Sequence, residues 1–96
     1  MSKVIEGAVR ALEEKLDGDR VNGSVRFVIE NEGSIRVDES GVREDDSEAD
    51  CTLRATRETF EGLLEGQVNP AAAFMTGRLK VDGDMGLAMK LGSLLT

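Results

Sequence analysis

Residues 69–96 read NPAAAFMTGRLKVDGDMGLAMKLGSLLT, and the order of elements in this stretch decides the fold. Asn69 and Pro70 mark a helix start. The Asn side chain can accept from the free N–H groups of a first turn, and Pro at the first helical position loses no hydrogen bond there. Phe74 and Met75 follow on that turn, and Gly77 can take the left-handed conformation that ends it. Leu79 and Val81 alternate with Lys80 and Asp82, the pattern of a half-exposed strand. Gly83 turns the chain, Asp84 is placed to cap, and a second helix runs on from Met85.

That closing helix is apolar over more than one side. At about 100° per residue, Leu87, Ala88, Leu91, Leu94 and Leu95 form one stripe, which Met85 and Met89 widen to an arc of roughly 220°. Only Lys90 and Ser93 mark a wet side. Covering one sheet face needs an arc of about 100°, so this helix has apolar surroundings on two sides. Two readings stay open. The helix is wedged between a sheet and a second helix, or its methionine flank lines a cavity for an apolar ligand, a role that suits the adaptable thioether.

The same residues carry a resemblance. Asn69-Pro70, Ala73-Phe74, Gly77 to Val81 and Gly83 to Leu91 resemble the C-terminal signature of the sterol carrier protein type 2 family. Upstream, Ala49 to Leu53 resembles its penultimate strand, and Phe60, Leu63, Leu64 and Gly66 its following helix. The likeness covers about the last half of the chain by motif and the first half by layout. It implies a five-stranded sheet under helices, with an apolar tunnel between the layers. It further implies non-catalytic binding or transfer of fatty acids, acyl-CoA esters, sterols or other isoprenoid lipids. By position, the lining implied is Phe27, Ile29, Leu53, Phe60, Leu64, Phe74, Met75, Met85 and Met89. Two departures stand out: Ile35 where family members often carry an aromatic residue, and an ending Ser93-Leu94-Leu95-Thr96 that is no peroxisomal address. They point to a stand-alone bacterial-type lipid binder rather than a sterol-specific peroxisomal one.

The residues before this stretch fit one layered domain spanning 1–96. Val4, Ile5, Ala8, Val9, Leu12 and Leu16 share a face, giving an amphipathic helix over residues 3–16 that Asp17-Gly18 stops. Val21, Val25, Phe27 and Ile29 fall on odd positions, and Ile35 and Val37 continue the phase after the turn residues Asn31 to Gly33. A short strand starts near Val42, and Cys51, Leu53 and Ala55 alternate with Thr52, Arg54 and Thr56. Thr56 caps the next helix, whose apolar face is Phe60, Leu63 and Leu64. One apolar face per strand means a sheet covered by helices on one side. The fold class is therefore α+β, with a mostly antiparallel mixed sheet and an apolar cavity beneath its helices. The last strand follows a helical crossover, which suggests that it is the strand pairing in parallel.

Composition excludes several functions. A net charge of −7 with no Trp, no Tyr and three Phe argues against nucleic acid, which is held through Lys, Arg and aromatic stacking. There is no histidine, which removes the commonest general base, metal ligand and nucleophile partner. No catalytic residue, metal or cofactor is expected. Seven of the nineteen acidic residues lie between Asp38 and Asp50. The spacing Asp46, Glu48, Asp50 resembles the start of a calcium loop, but Cys51 stands where its glycine belongs and Arg57 where its glutamate belongs. A solvated charged hairpin that blunts strand pairing is the better account. Gly83-Asp84-Met85-Gly86 has the form of a backbone-gripping GxxG loop, yet Asp82 and Asp84 would repel phosphates. A single cysteine agrees with a reducing compartment, and no apolar run approaches the roughly 20 residues of a membrane span. A cytoplasmic protein is expected, with an apolar lipid as partner and membranes met only by transient collision. The competing class is an accessory module that recruits enzymes of lipid or quinone metabolism. Protein partners and a homodimer are left open.

Overall fold

The computed structural model describes residues 3–19 and 21–95. Helix α1 (Lys3–Leu16) is followed by strands β1 (Val25–Ile29), β2 (Gly33–Asp38), β3 (Gly41–Glu44) and β4 (Cys51–Ala55). Then come α2 (Arg57–Leu64), α3 (Pro70–Met75), β5 (Leu79–Gly83) and α4 (Met85–Leu95). The strands form one five-stranded sheet in the order β3-β2-β1-β4-β5. Val25, Phe27, Ile29, Ile35, Val37, Cys51, Leu53, Ala55 and Leu79 are buried on its inner face. Ile5, Ala8, Leu12, Leu16, Phe60, Leu63, Leu91 and Leu95 meet them from the helices. Phe27 and Phe60 join the two layers edge to face, with ring centroids 5.2 Å apart, a geometry the ring quadrupoles favour.

The sheet is mixed, but the parallel pair is not the one expected. β5 runs antiparallel to β4, with Leu53 opposite Val81, whereas β1 and β4 are parallel, with Phe27 opposite Leu53. Two helices separate β4 from β5, and two successive reversals return the chain antiparallel. The β3-to-β4 connection, in contrast, has no helix and passes β2 and β1 without pairing.

That connection also corrects the reading of the acidic segment. The hairpin part ends with β3. Residues 45–50 then lie over the face of the sheet away from the helices, where Arg26 pairs with Arg36 and Arg36 with Arg43 across neighbouring strands. Three like charges side by side repel, and the segment offsets them. Arg26 donates to the Asp46 carbonyl at 3.0 Å and Arg36 to the Glu48 carbonyl at 2.6 Å. Asp38 takes Arg36 at 2.9 Å and Arg43 at 3.0 Å. The segment is a crossover tied chiefly through its backbone carbonyls, not a hairpin tip, although most of its acidic side chains remain exposed. Asp46 faces Arg26, and Asp50 accepts from the Ser24 backbone and hydroxyl while the Asp50 N–H donates back to that hydroxyl at 3.0 Å.

Candidate ligand cavity

The local chemistry of residues 69–95 builds the cavity. Asn69 caps α3 by accepting from the Ala72 N–H at 3.1 Å, Pro70 follows at its start, and Gly77 closes it with φ +79°. β5 then adds Leu79 and Val81 to the inner face of the sheet edge. At its end Gly83, with φ +97°, lets the Asp84 N–H reach the Asp50 carbonyl at 2.9 Å. The Asp84 side chain caps α4 by accepting from Gly86 and Leu87 at 2.8 and 3.2 Å. The first turn of α4 is thereby tied to the start of β4. Gly23 leaves room for Leu87, whose Cδ1 would stand 3.0 Å from a Cβ there.

α3 packs chiefly on β5, and α4 on β4 and α1. The two helices meet where Gly92 faces Pro70, whose Cβ would stand 3.4 Å from an added side chain. Elsewhere the space between them is open, and a cavity of about 420 Å³ lies there, within the ~300–1,000 Å³ common for ligand pockets. Its floor is a row across three strands, Phe27, Leu53 and Val81, in direct register. Leu63 of α2 and Leu79 close the inner end; Phe74 and Met75 form one wall and Met85, Ala88 and Met89 the other. Among the described lining residues, the polar side chains are Asn69 and Ser93, and none is ionisable. Such a surface offers dispersion contact and exclusion of water, with a neutral amide and hydroxyl at its edge.

The two sides of α4 separate as its wide apolar arc requires. Leu91 and Leu95 are buried against the sheet side, while Met85 and Met89 face the cavity and are exposed. The buried flank is the one expected of a wedged helix, and the methionine flank borders an open apolar space. Of the residues implied as lining, Phe27, Leu53, Phe74, Met75, Met85 and Met89 come together here. Ile29 lies further along β1, buried opposite Gly33 and Ala55. Phe60 and Leu64 point to a groove between α1 and α2 that charged residues such as Lys15, Arg57 and Glu61 also line. Leu63 is the α2 residue that turns to the cavity, since a step of one residue rotates the side chain by about 100°. Sequence reasoning missed Leu63, Leu79, Val81, Ala88, Gly92 and Leu95. For Val81 the signal was present, because it shares the inward phase of its strand.

Cys51 stands apart from this chemistry. It is buried opposite Gly83, and burial first, then the charges of Asp84 and Asp82, push its thiol pKa up. The thiolate needed for reactivity is thereby disfavoured.

Fold and cavity define a class: a small α+β domain whose sheet and helices enclose an apolar space reached from solvent. The chain belongs to the SCP-2 sterol transfer family, which it matches over residues 4–96. It is 49% identical to human sterol carrier protein 2 over 49 residues, covering 51% of this chain and 9% of that protein. The match therefore spans less than a tenth of the human protein's length. Among solved structures, the sterol carrier protein domain 2 of Helicoverpa armigera is 28% identical, with a TM-score of 0.70 over 97% of this chain and 83% of that one. The sterol carrier protein 2 of Aedes aegypti, in complex with the C16 fatty acid palmitate, shares the fold. Its TM-score is 0.78 at 17% identity, over 100% of this chain and 97% of that one.

Proposed function

We propose that this chain binds one apolar lipid in the cavity between α3 and α4 and carries it, without chemistry, between membranes or enzymes. The observation that carries this reading is the cavity itself: about 420 Å³, with an apolar floor and walls and no ionisable side chain among its described lining residues. The family supports it, and so does the palmitate held by the Aedes aegypti protein of the same fold. A lining whose polar side chains, among the described residues, are one amide and one hydroxyl supports a carrier over a catalyst. The ligand class is a fatty acid, acyl-CoA, sterol or isoprenoid, and its apolar part fills the space above Phe27, Leu53 and Val81. Within this reading the protein works in the cytoplasm, where its free cysteine stays reduced.

The test is displacement of a fluorescent fatty acid from delipidated protein by unlabelled lipids of each class. One-to-one saturable binding with competition supports the proposal. Absence of saturable binding at micromolar protein would replace the carrier by the accessory module, a protein that acts through its surface alone.

A further inference from the structure

The two ends of the cavity differ in chemistry. Asn69 and Ser93, the polar side chains of the described lining, flank the point where Pro70 meets Gly92. The other end begins at Met85, eight residues before Ser93, or about 12 Å along the helix. In an apolar pocket a few such polar groups fix how the ligand lies.

The amide and the hydroxyl are not equally free to do so. Ser93 is already engaged within the chain. The Asn69 Oδ1 accepts from the Ala72 N–H at 3.1 Å, a bond that holds the amide in place. Its NH2 group is left with no hydrogen-bond partner among the described residues. Pro70, next in the chain, has no N–H to offer. Asn69 is exposed, so an ionised group beside it keeps part of its water and avoids the cost of full burial.

At the Met85 end a charged head is disfavoured. Asp84 already accepts from the Gly86 and Leu87 N–H groups at 2.8 and 3.2 Å, so the positive start of α4 is filled by the protein's own carboxylate. Asp82 stands two residues earlier, on β5. A second carboxylate there would meet like charge.

We infer that Asn69 selects and orients the ligand. Its NH2 donates to a carboxylate or carbonyl oxygen at the head of the lipid, and the chain runs along α4 to end at Met85. This rests on the carrier reading above and narrows its ligand class to apolar chains that end in an oxygen acceptor. An NH2 group donates and cannot accept. To a carboxylate it makes a charge-assisted bond, roughly twice as strong as one between neutral groups.

Two variants separate recognition from folding. Asp and Ser cap a helix about as well as Asn does, so Asn69→Asp and Asn69→Ser should melt within a few degrees of wild type. Palmitate and hexadecanol are the probes, each displacing a fluorescent apolar dye from delipidated protein. Asn69→Asp should lower palmitate affinity about tenfold or more, because an acceptor replaces the donor. It should keep hexadecanol within about threefold of wild type, because the hydroxyl can donate to the new oxygen. Asn69→Ser, which adds no charge, should lower palmitate affinity about threefold or more. Orientation is read in wild type with labelled methionine methyl groups. Stearate with a nitroxide near its terminal methyl should broaden the Met85 resonance more than that of Met89, and a nitroxide near the carboxyl group should do the reverse. The opposite order of broadening, or a palmitate affinity unchanged in either variant, would overturn the inference. Should a variant fail to fold, the order of broadening in wild type decides alone. Failure of wild type to bind either probe would instead sink the carrier reading beneath it.

Discussion

Gly83 and Gly77 share a left-handed backbone, at φ +97° and +79°, but not their surroundings. A Cβ on Gly83 would run into the Asp50 carbonyl, whereas one on Gly77 meets open space. A left-handed non-glycine residue costs about 1–2 kcal/mol by itself. Gly77→Ala should lose about that much in urea unfolding, and Gly83→Ala distinctly more, because β4 and the start of α4 must separate. Equal losses would show that the corner between β5 and α4 is looser than described. Gly92 tests the site instead. Gly92→Leu adds a side chain in the cavity at an interior helical position where leucine is favoured over glycine by up to about 1 kcal/mol. Crowding against Pro70 should outweigh that gain and cost about 1–3 kcal/mol, while fatty-acid affinity of the folded protein falls about tenfold or more. Unchanged affinity would place the ligand elsewhere.

At the scale of elements, α4 is held by Leu91 and Leu95, and Leu91 is fully buried. Leu91→Ala should cost about 2–5 kcal/mol, a large share of the ~5–15 kcal/mol available to a small domain. A melting temperature near that of wild type would mean that the helix is not docked. The crossover makes a pH prediction. Hydrogen bonds from Arg43 and then Arg36 hold the Asp38 carboxyl well below the usual carboxylate range. Its folded form therefore binds protons less readily than its unfolded form, whose ordinary value is 3.8. The stabilisation is present above that value and drains away as pH falls through and beyond it. Asp38→Asn should lower stability at neutral pH by about 1–3 kcal/mol, and should flatten the loss of melting temperature below about pH 4. An unaltered acid profile would show that the arginine row is held by other means. The helices were legible in the sequence because caps and periodicity are local: Thr56, Asn69 and Asp84 each bond as their positions implied. The parallel β1–β4 pair was not, since the long connection over the outer face has no local signature. Its ties, Arg36 and Arg26, are distant from it in sequence.

For the whole molecule, the class of fold could be read from the order of elements and the single apolar face of each strand, while the width of the α4 stripe left an apolar site as one of two readings. Which residues line the site could be read only in part, because core and lining side chains are chemically alike. Phe60 and Phe27 touch, yet only Phe27 reaches the cavity. The central claim is that the space between α3 and α4 holds the ligand. Titrating methyl-labelled methionine protein with palmitate and following the methyl resonances of Met75, Met85 and Met89 tests it most directly. The account predicts that all three shift together and saturate at one equivalent of palmitate. Saturable binding of palmitate that leaves those three resonances where they were would contradict it.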